Sequence, residues 1–207
     1  MKRTLILGAS GMLGQAIVKK MHCLSDNRPL VLAARHAKEH FLENADCRVV
    51  NCDATDASSL RTAMADCDTV FCAVSGEDLP IVAKNIIAEM EGNGISRLVF
   101  MGAVGIYNEI PVELDDEDNV RNNAEQIPNR DAVEAIEASN LNYTVIRPGY
   151  LMTEGDASDF VLTFKGEQAK GYETTLSSVV NLAVELLDNP GLYSRMSVSI
   201  TKDMTTE

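Results

Sequence analysis

The sequence predicts an α/β protein built on a doubly wound parallel sheet. Three observations point there. Short apolar or β-branched runs alternate with segments of helical periodicity through the first two-thirds of the chain. Those runs are apolar enough to be buried on both faces, as strands between two helical layers must be. The first run also feeds directly into three glycines, each separated from the next by two residues, and then into an amphipathic helix.

The first strand is Thr4–Leu7 and the first helix Met12–Cys23, carried by Ala16, Ile17 and Met21. Between them, Gly8 suits a tight turn out of the strand, Gly11 has no Cβ to block an approaching phosphate, and Gly14 lets the helix pack closely on the sheet. The amides around Ser10, Met12 and Leu13 open that helix and face whatever anion sits before it. A glycine triplet alone is a weak signal, but between a strand and a helix it marks the seat of a dinucleotide pyrophosphate.

The second strand, Leu30–Ala34, ends in Arg35, 21 residues after Gly14. A carboxylate there would bond the ribose 2′-OH of NAD, whereas a guanidinium forks onto the 2′-phosphate of NADP. NADP(H) is therefore expected over NAD(H), with His36 and Lys38 as weaker candidates for the same phosphate. After the third strand, Arg48–Cys52, come Asp53 and Ala54 and a helix over Ala57–Ala65. Asp53 lies where adenine would rest and can accept from its exocyclic amine, or it can cap the helix that Thr55-Asp56 begins, the more ordinary role.

The fourth strand, Thr69–Ala73, runs into the small residues Val74, Ser75 and Gly76 and a helix over Leu79–Glu91, while the fifth, Leu98–Met101, runs into Gly102 and Ala103. Small residues at these strand ends leave room for a ligand or mark tight turns. A polar loop, Asn108 to Asn129, then carries the acidic run Asp115-Asp116-Glu117-Asp118, either a solvated face or a cover over the pocket. A helix over Asp131–Ala138 and the strand Tyr143–Arg147 lead to Pro148 and Gly149. Beyond them lie a strand at Phe160–Phe164, a helix at Ser177–Leu187 stopped by Asn189-Pro190-Gly191, and a last strand at Val198–Thr201. We read residues 1–207 as one domain, with about 148–207 contributing a small substrate-side extension.

With 45% apolar residues in 207, the chain can fill one core. No apolar run has the length of a membrane span, and the stretch after Lys2-Arg3 is broken by Gly8 and Gly11, so neither an anchor nor a signal peptide is expected. A net charge of −13 without a basic stripe argues against nucleic acid as a partner. Cys23, Cys47, Cys52, Cys67 and Cys72 have no Cys-x-x-Cys spacing, which reads as buried reduced thiols in a cytoplasmic protein and indicates no metal site.

Together, Gly8-Ala-Ser-Gly11-Met-Leu-Gly14, Arg35, Asp53-Ala-Thr-Asp56, Leu98-Val-Phe-Met-Gly-Ala-Val-Gly-Ile-Tyr107 and Asn142-Tyr-Thr-Val-Ile-Arg147-Pro-Gly149 resemble the atypical short-chain dehydrogenase/reductases, especially their small NmrA-like, NAD(P)-binding members. The resemblance covers essentially the whole chain. It implies a Rossmann-type domain binding NADP(H), with the nicotinamide between the ends of the fourth and fifth strands and the Arg147-Pro148-Gly149 loop. Active members usually place a Ser or Thr after the fifth strand and a Tyr-x-x-x-Lys on the next helix. This chain has Gly102-Ala103 at the first place and no such pair at the second, where Arg130 stands in the lysine's position. Arg can hold a ribose but cannot relay a proton at neutral pH. Tyr107 is the one nearby phenol, a displaced acid or a packing residue, and Tyr150 is open to the same two readings.

Two functions follow from this pattern. One is an NADPH-dependent oxidoreductase whose flavin-, quinone- or carbonyl-type acceptor does not need a Tyr-Lys pair when it takes its proton from solvent. The other is a non-catalytic NADP(H) redox sensor acting through a protein partner. A nucleotide-sugar epimerase or isomerase ranks last, because it demands a base the sequence does not offer.

Overall fold

A computed structural model describes residues 3–23, 28–114 and 116–205; Met1, Lys2, the side chain of Cys23 and Asp115 of the acidic run lie outside the described residues. The strands are β1 (Arg3–Leu7), β2 (Leu30–Ala34), β3 (Cys47–Asn51), β4 (Cys67–Cys72), β5 (Arg97–Met101), β6 (Asn142–Pro148), β7 (Tyr150–Met152), β8 (Val161–Phe164), β9 (Glu173–Thr175) and β10 (Met196–Thr201). The α-helices are α1 (Met12–Cys23), α2 (Ala37–His40), α3 (Ala57–Met64), α4 (Leu79–Asn93), α5 (Ile127–Glu137) and α6 (Leu176–Asp188).

One sheet runs β3-β2-β1-β4-β5-β6-β10-β8, parallel throughout except for β8 against β10. The order reverses between β1 and β4, and the carboxyl ends of strands at such a reversal form the crevice where α/β proteins bind ligands. Alternation along each strand serves two cores. Leu5, Leu7, Leu98 and Phe100 pack with α3, α4 and α5 on one face, whereas Ile6, Val99 and Met101 pack with α1 and α6 on the other. Each such fully buried side chain stabilises the fold by about 1.5–3 kcal/mol relative to exposure.

The expected strands and helices are all present, with ends displaced by a few residues. The largest displacement is α5, which starts at Ile127 inside the expected loop, because Pro128 sits in the first turn, where its missing N–H is no loss. The segment before it is wound into 3₁₀ turns, Val112–Leu114, Asp116–Asp118 and Ala124–Gln126. The buried Asn119 pins it, its amide exchanging two hydrogen bonds with the backbone of Ile110 at 2.7 and 3.1 Å. The C-terminal extension differs most from expectation: α6 and β10 are integral to the main layers, and only the small β7–β9 pair stands apart from the sheet.

Cys47, Cys52, Cys67 and Cys72 are free and buried. Burial pushes the Cys67 thiol up to about 11 and that of Cys72 to about 12, so both stay protonated and unreactive at neutral pH. No helix of the described residues is long and apolar enough to cross a membrane.

Candidate functional site

The turn from β1 into α1 sets the site. Gly8 holds φ +84°, and a Cβ there would stand 2.9 Å from the carbonyl carbon of Ala73, so only glycine passes between β1 and β4. At Gly14 a Cβ would stand 2.3 Å from the Gly8 carbonyl oxygen, which explains why α1 lies so close to the strand end. Gly11 is different: its Cβ would make only an ordinary 3.4 Å contact, leaving space over the turn as its contribution. The first turn of α1 contains no acidic residue, so its positive dipole end and free amides face an anion without competition.

A cleft of about 370 Å³ opens beside this turn. Its wall from β1 is Leu7, Gly8, Ser10 and Gly11; from β2 and α2, Ala34, Arg35, His36 and His40; from β3, Cys52, Asp53, Ala54 and Thr55; from β4 and α4, Ala73, Val74, Ser75, Asp78, Leu79 and Val82. The apolar part of this lining, a slot contributed by Ala54, Val74, Leu79 and Val82, suits a purine, and the exposed Arg35 lines the same cleft.

Asp53 lies in this cleft, but it does not cap α3. Its Oδ1 accepts from the Thr55 amide at 2.9 Å and the Thr55 hydroxyl at 2.8 Å, whereas Asp56 is the cap, accepting from the Ser58 amide. The Thr55 amide, then its hydroxyl, and more weakly Arg35, hold the Asp53 carboxyl below the usual carboxylate range.

The structure thus brings together Gly8, Ser10, Gly11, Arg35, Asp53, Ala54, Ala73, Val74 and Ser75. Met12, Leu13 and Gly14 adjoin them in α1 without lining the cleft. Gly102, Ala103, Pro148 and Gly149 sit at the carboxyl ends of β5 and β6, on the same sheet edge but outside this cleft. A Cβ at Gly102 would come within 3.2 Å of Val133 on α5, and one at Gly149 within 2.5 Å of the Tyr172 carbonyl oxygen. Close packing therefore accounts for both glycines.

Three expectations need correction. Arg130 is engaged on its own helix, donating to Asp131 at 2.7 and 3.0 Å with Glu134 at 3.9 Å, so its guanidinium is not held out for a ribose. Tyr107 does not line the cleft: its hydroxyl donates to Glu137 Oε1 at 2.7 Å, lies 3.1 Å from Ser197 Oγ, and its ring packs between Arg147 and Lys165. Burial raises the phenol's pKa above the usual tyrosine value, and a carboxylate already occupies its hydrogen, which makes it a packing residue. Lys38 is exposed outside the cleft, and its amide donates to Asn51 Oδ1 at 3.0 Å.

Sequence reasoning missed Leu79 and Val82, which face the slot at helical spacing, and Thr55, Asp78 and His40. His40 was legible as the residue four beyond His36 in a short run of helix formers. Among the described residues, no group of three or more His, Cys, Asp or Glu side chains is placed to hold a metal ion.

The sheet reversal, the glycine turn and the cleft beside it define a nucleotide-binding α/β protein of the Rossmann type. The chain belongs to the NAD(P)H-binding family, whose model matches residues 8–190. Among solved structures, a Rossmann-fold NAD(P)-binding family protein from Shigella flexneri is 29% identical, with 99% of this chain and 95% of that one covered at a TM-score of 0.83. A wide-type short-chain dehydrogenase/reductase from Veillonella parvula, in complex with NADP, is 21% identical over 100% and 97% of the two chains with a TM-score of 0.88. ChuY, an anaerobilin reductase from Escherichia coli O157:H7, is 21% identical over 100% of both chains with a TM-score of 0.81. No curated protein sequence matches the chain.

Proposed function

We propose that this chain is an NADPH-dependent oxidoreductase that passes hydride from the nicotinamide to an acceptor of flavin, quinone or carbonyl type. The observation that carries the NADP preference is Arg35: it stands exposed in the cleft wall just after β2, where its charge acts only weakly on the Asp53 carboxyl. Asp53 follows β3 and its Oδ1 accepts from the Thr55 amide, while the position that ends β2 carries the Arg35 guanidinium and not the carboxylate that would select NAD. The residues of the cleft fit the adenosine and diphosphate part of the cofactor: Arg35 for the 2′-phosphate, Ala54, Val74, Leu79 and Val82 for adenine, and Gly8, Ser10 and Gly11 with the start of α1 for the diphosphate. The bound nicotinamide would supply the hydride. The chain's own part is to orient the cofactor, and because Tyr107 is held by Glu137, the proton comes from water or from the acceptor itself.

That engaged phenol, together with the self-paired Arg130, also favours a second reading, a non-catalytic NADP(H) sensor whose oxidised and reduced forms select different surfaces for a protein partner. Incubation with NADPH and a panel of flavins, quinones and aldehydes, following the absorbance of the reduced nicotinamide, separates the two. Turnover with any acceptor selects the enzyme, and none across the panel selects the sensor. For the cofactor preference, Arg35→Asp is expected to weaken NADP+ binding about a hundredfold and to improve NAD+ binding, since two charge-assisted hydrogen bonds are exchanged for a repulsion. Unchanged selectivity in calorimetric titrations would remove Arg35 from the phosphate.

A further inference from the structure

We propose that His40 is a specificity-determining residue, a second donor beside Arg35 for the cofactor's 2′-phosphate. The inference rests on the NADP reading above. Arg35, His36 and His40 all line the cleft wall that follows β2. The single turn α2 that carries His40 is fixed from both sides. Ala37 is fully buried, the Phe41 amide donates to the Ala37 carbonyl at 3.0 Å with its ring packed on the α1–α6 core, and the Lys38 amide is tied to Asn51 of the neighbouring strand at 3.0 Å.

Pinned in this way, one helical turn presents the side chains four apart, His36 and His40, to the cleft, while Lys38 and Glu39 between them stay outside it. The two histidines are not equivalent. His36 Nδ1 lies 3.5 Å from Glu39 Oε1, so a carboxylate already faces its ring. The His40 ring lies 6.4 Å from the Phe41 ring, centroid to centroid, and its side chain is paired with no carboxylate among the described residues. Two side chains with N–H donors, Arg35 and His40, therefore stand on the same wall.

A phosphate monoester offers three acceptor oxygens, more than one guanidinium fork satisfies. An imidazole from the α2 side supplies the remaining donor, and its bond to a phosphate dianion is charge-assisted where one to the bare 2′-OH is not. His40 thus favours the phosphorylated ribose, whereas the glycine turn and the adenine slot serve both dinucleotides equally.

The test is calorimetric titration of the wild-type chain and of His40→Ala with NADP+ and with NAD+. The expected result is an NADP+ dissociation constant about tenfold higher in the variant, with the NAD+ constant unchanged within about twofold, the size of one hydrogen bond to a charged group. An unaltered NADP+ constant, or equal losses for both dinucleotides, would overturn the assignment. Failure of the underlying reading shows separately, as a wild-type protein that binds NADP+ no more tightly than NAD+.

Discussion

Replacing Glu109 by alanine is expected to lower the stability of the fold by about 3–5 kcal/mol, the range for removing one partner of a buried ion pair. Arg147 is the largest fully buried side chain among the described residues, and its Nη1 is paired with Glu109 Oε1, itself almost wholly buried. Its Nε donates to Ser197 Oγ at 3.0 Å, and Nη2 has no partner among the described residues. Burial lowers the Arg147 pKa and the attraction of Glu109 opposes that shift, so the carboxylate is what makes a charged guanidinium tolerable in this place.

Glu109 does more than balance a charge. Its second oxygen accepts from the Tyr107 amide at 2.9 Å and its carbonyl from the Ala169 amide at 2.9 Å, tying the segment after β5 to the one after β8. Urea unfolding monitored by circular dichroism measures the loss. The double replacement Glu109→Ala with Arg147→Met is expected to recover part of it, because no unpaired cation is then left inside. A single-variant loss under about 1 kcal/mol would show that the pair is dispensable.

This buried network also marks where the sequence stopped being informative. The strand, glycine turn and helix from Thr4 to Cys23 were legible because the constraint is local: a backbone that turns at positive φ and a helix that must touch the strand end both demand glycine within a few residues. Arg35 was legible for the same reason, its place fixed by the strand it ends.

Tyr107 was not. Proximity to Gly102 leaves a displaced acid and a packing residue both open. The chain turns at Gly105 and Asn108, both at positive φ, with the Asn108 amide on the Gly105 carbonyl at 3.0 Å. The ring ends against Glu137, Lys165 and Ser197, partners 30 to 90 residues away that no local pattern reveals. The pair β7–β9 escapes likewise, since each strand has only three residues and their ladder partners lie more than twenty residues apart in the chain. The place of the last strand is not legible either, because a strand's place in a sheet depends on its partners: β10 reads as an isolated apolar run until it is seen in register with β6, Val198 opposite Ile146.

Gly14→Ala separates the two duties of the glycine turn. On helix propensity alone the substitution favours folding by about 1 kcal/mol, since alanine is the better residue inside a helix. The steric effect opposes it and is larger. The new methyl would meet the Gly8 carbonyl oxygen at 2.3 Å and the Ala9 Cα at 2.8 Å, backbone atoms that a side-chain rotation cannot clear, so α1 must move away from β1. We expect a net loss of about 1–3 kcal/mol in urea unfolding, the usual cost of overpacking. We also expect at least a tenfold weaker NADP+ affinity, because the helix end that faces the diphosphate moves with the helix. Gly11→Ala is the control: its methyl meets protein only at 3.4 Å, so stability should hold within about 0.5 kcal/mol while affinity falls, the methyl now filling space the phosphate needs. If Gly11→Ala left NADP+ binding intact, the diphosphate would not lie over this turn, and the glycine spacing would reflect packing alone.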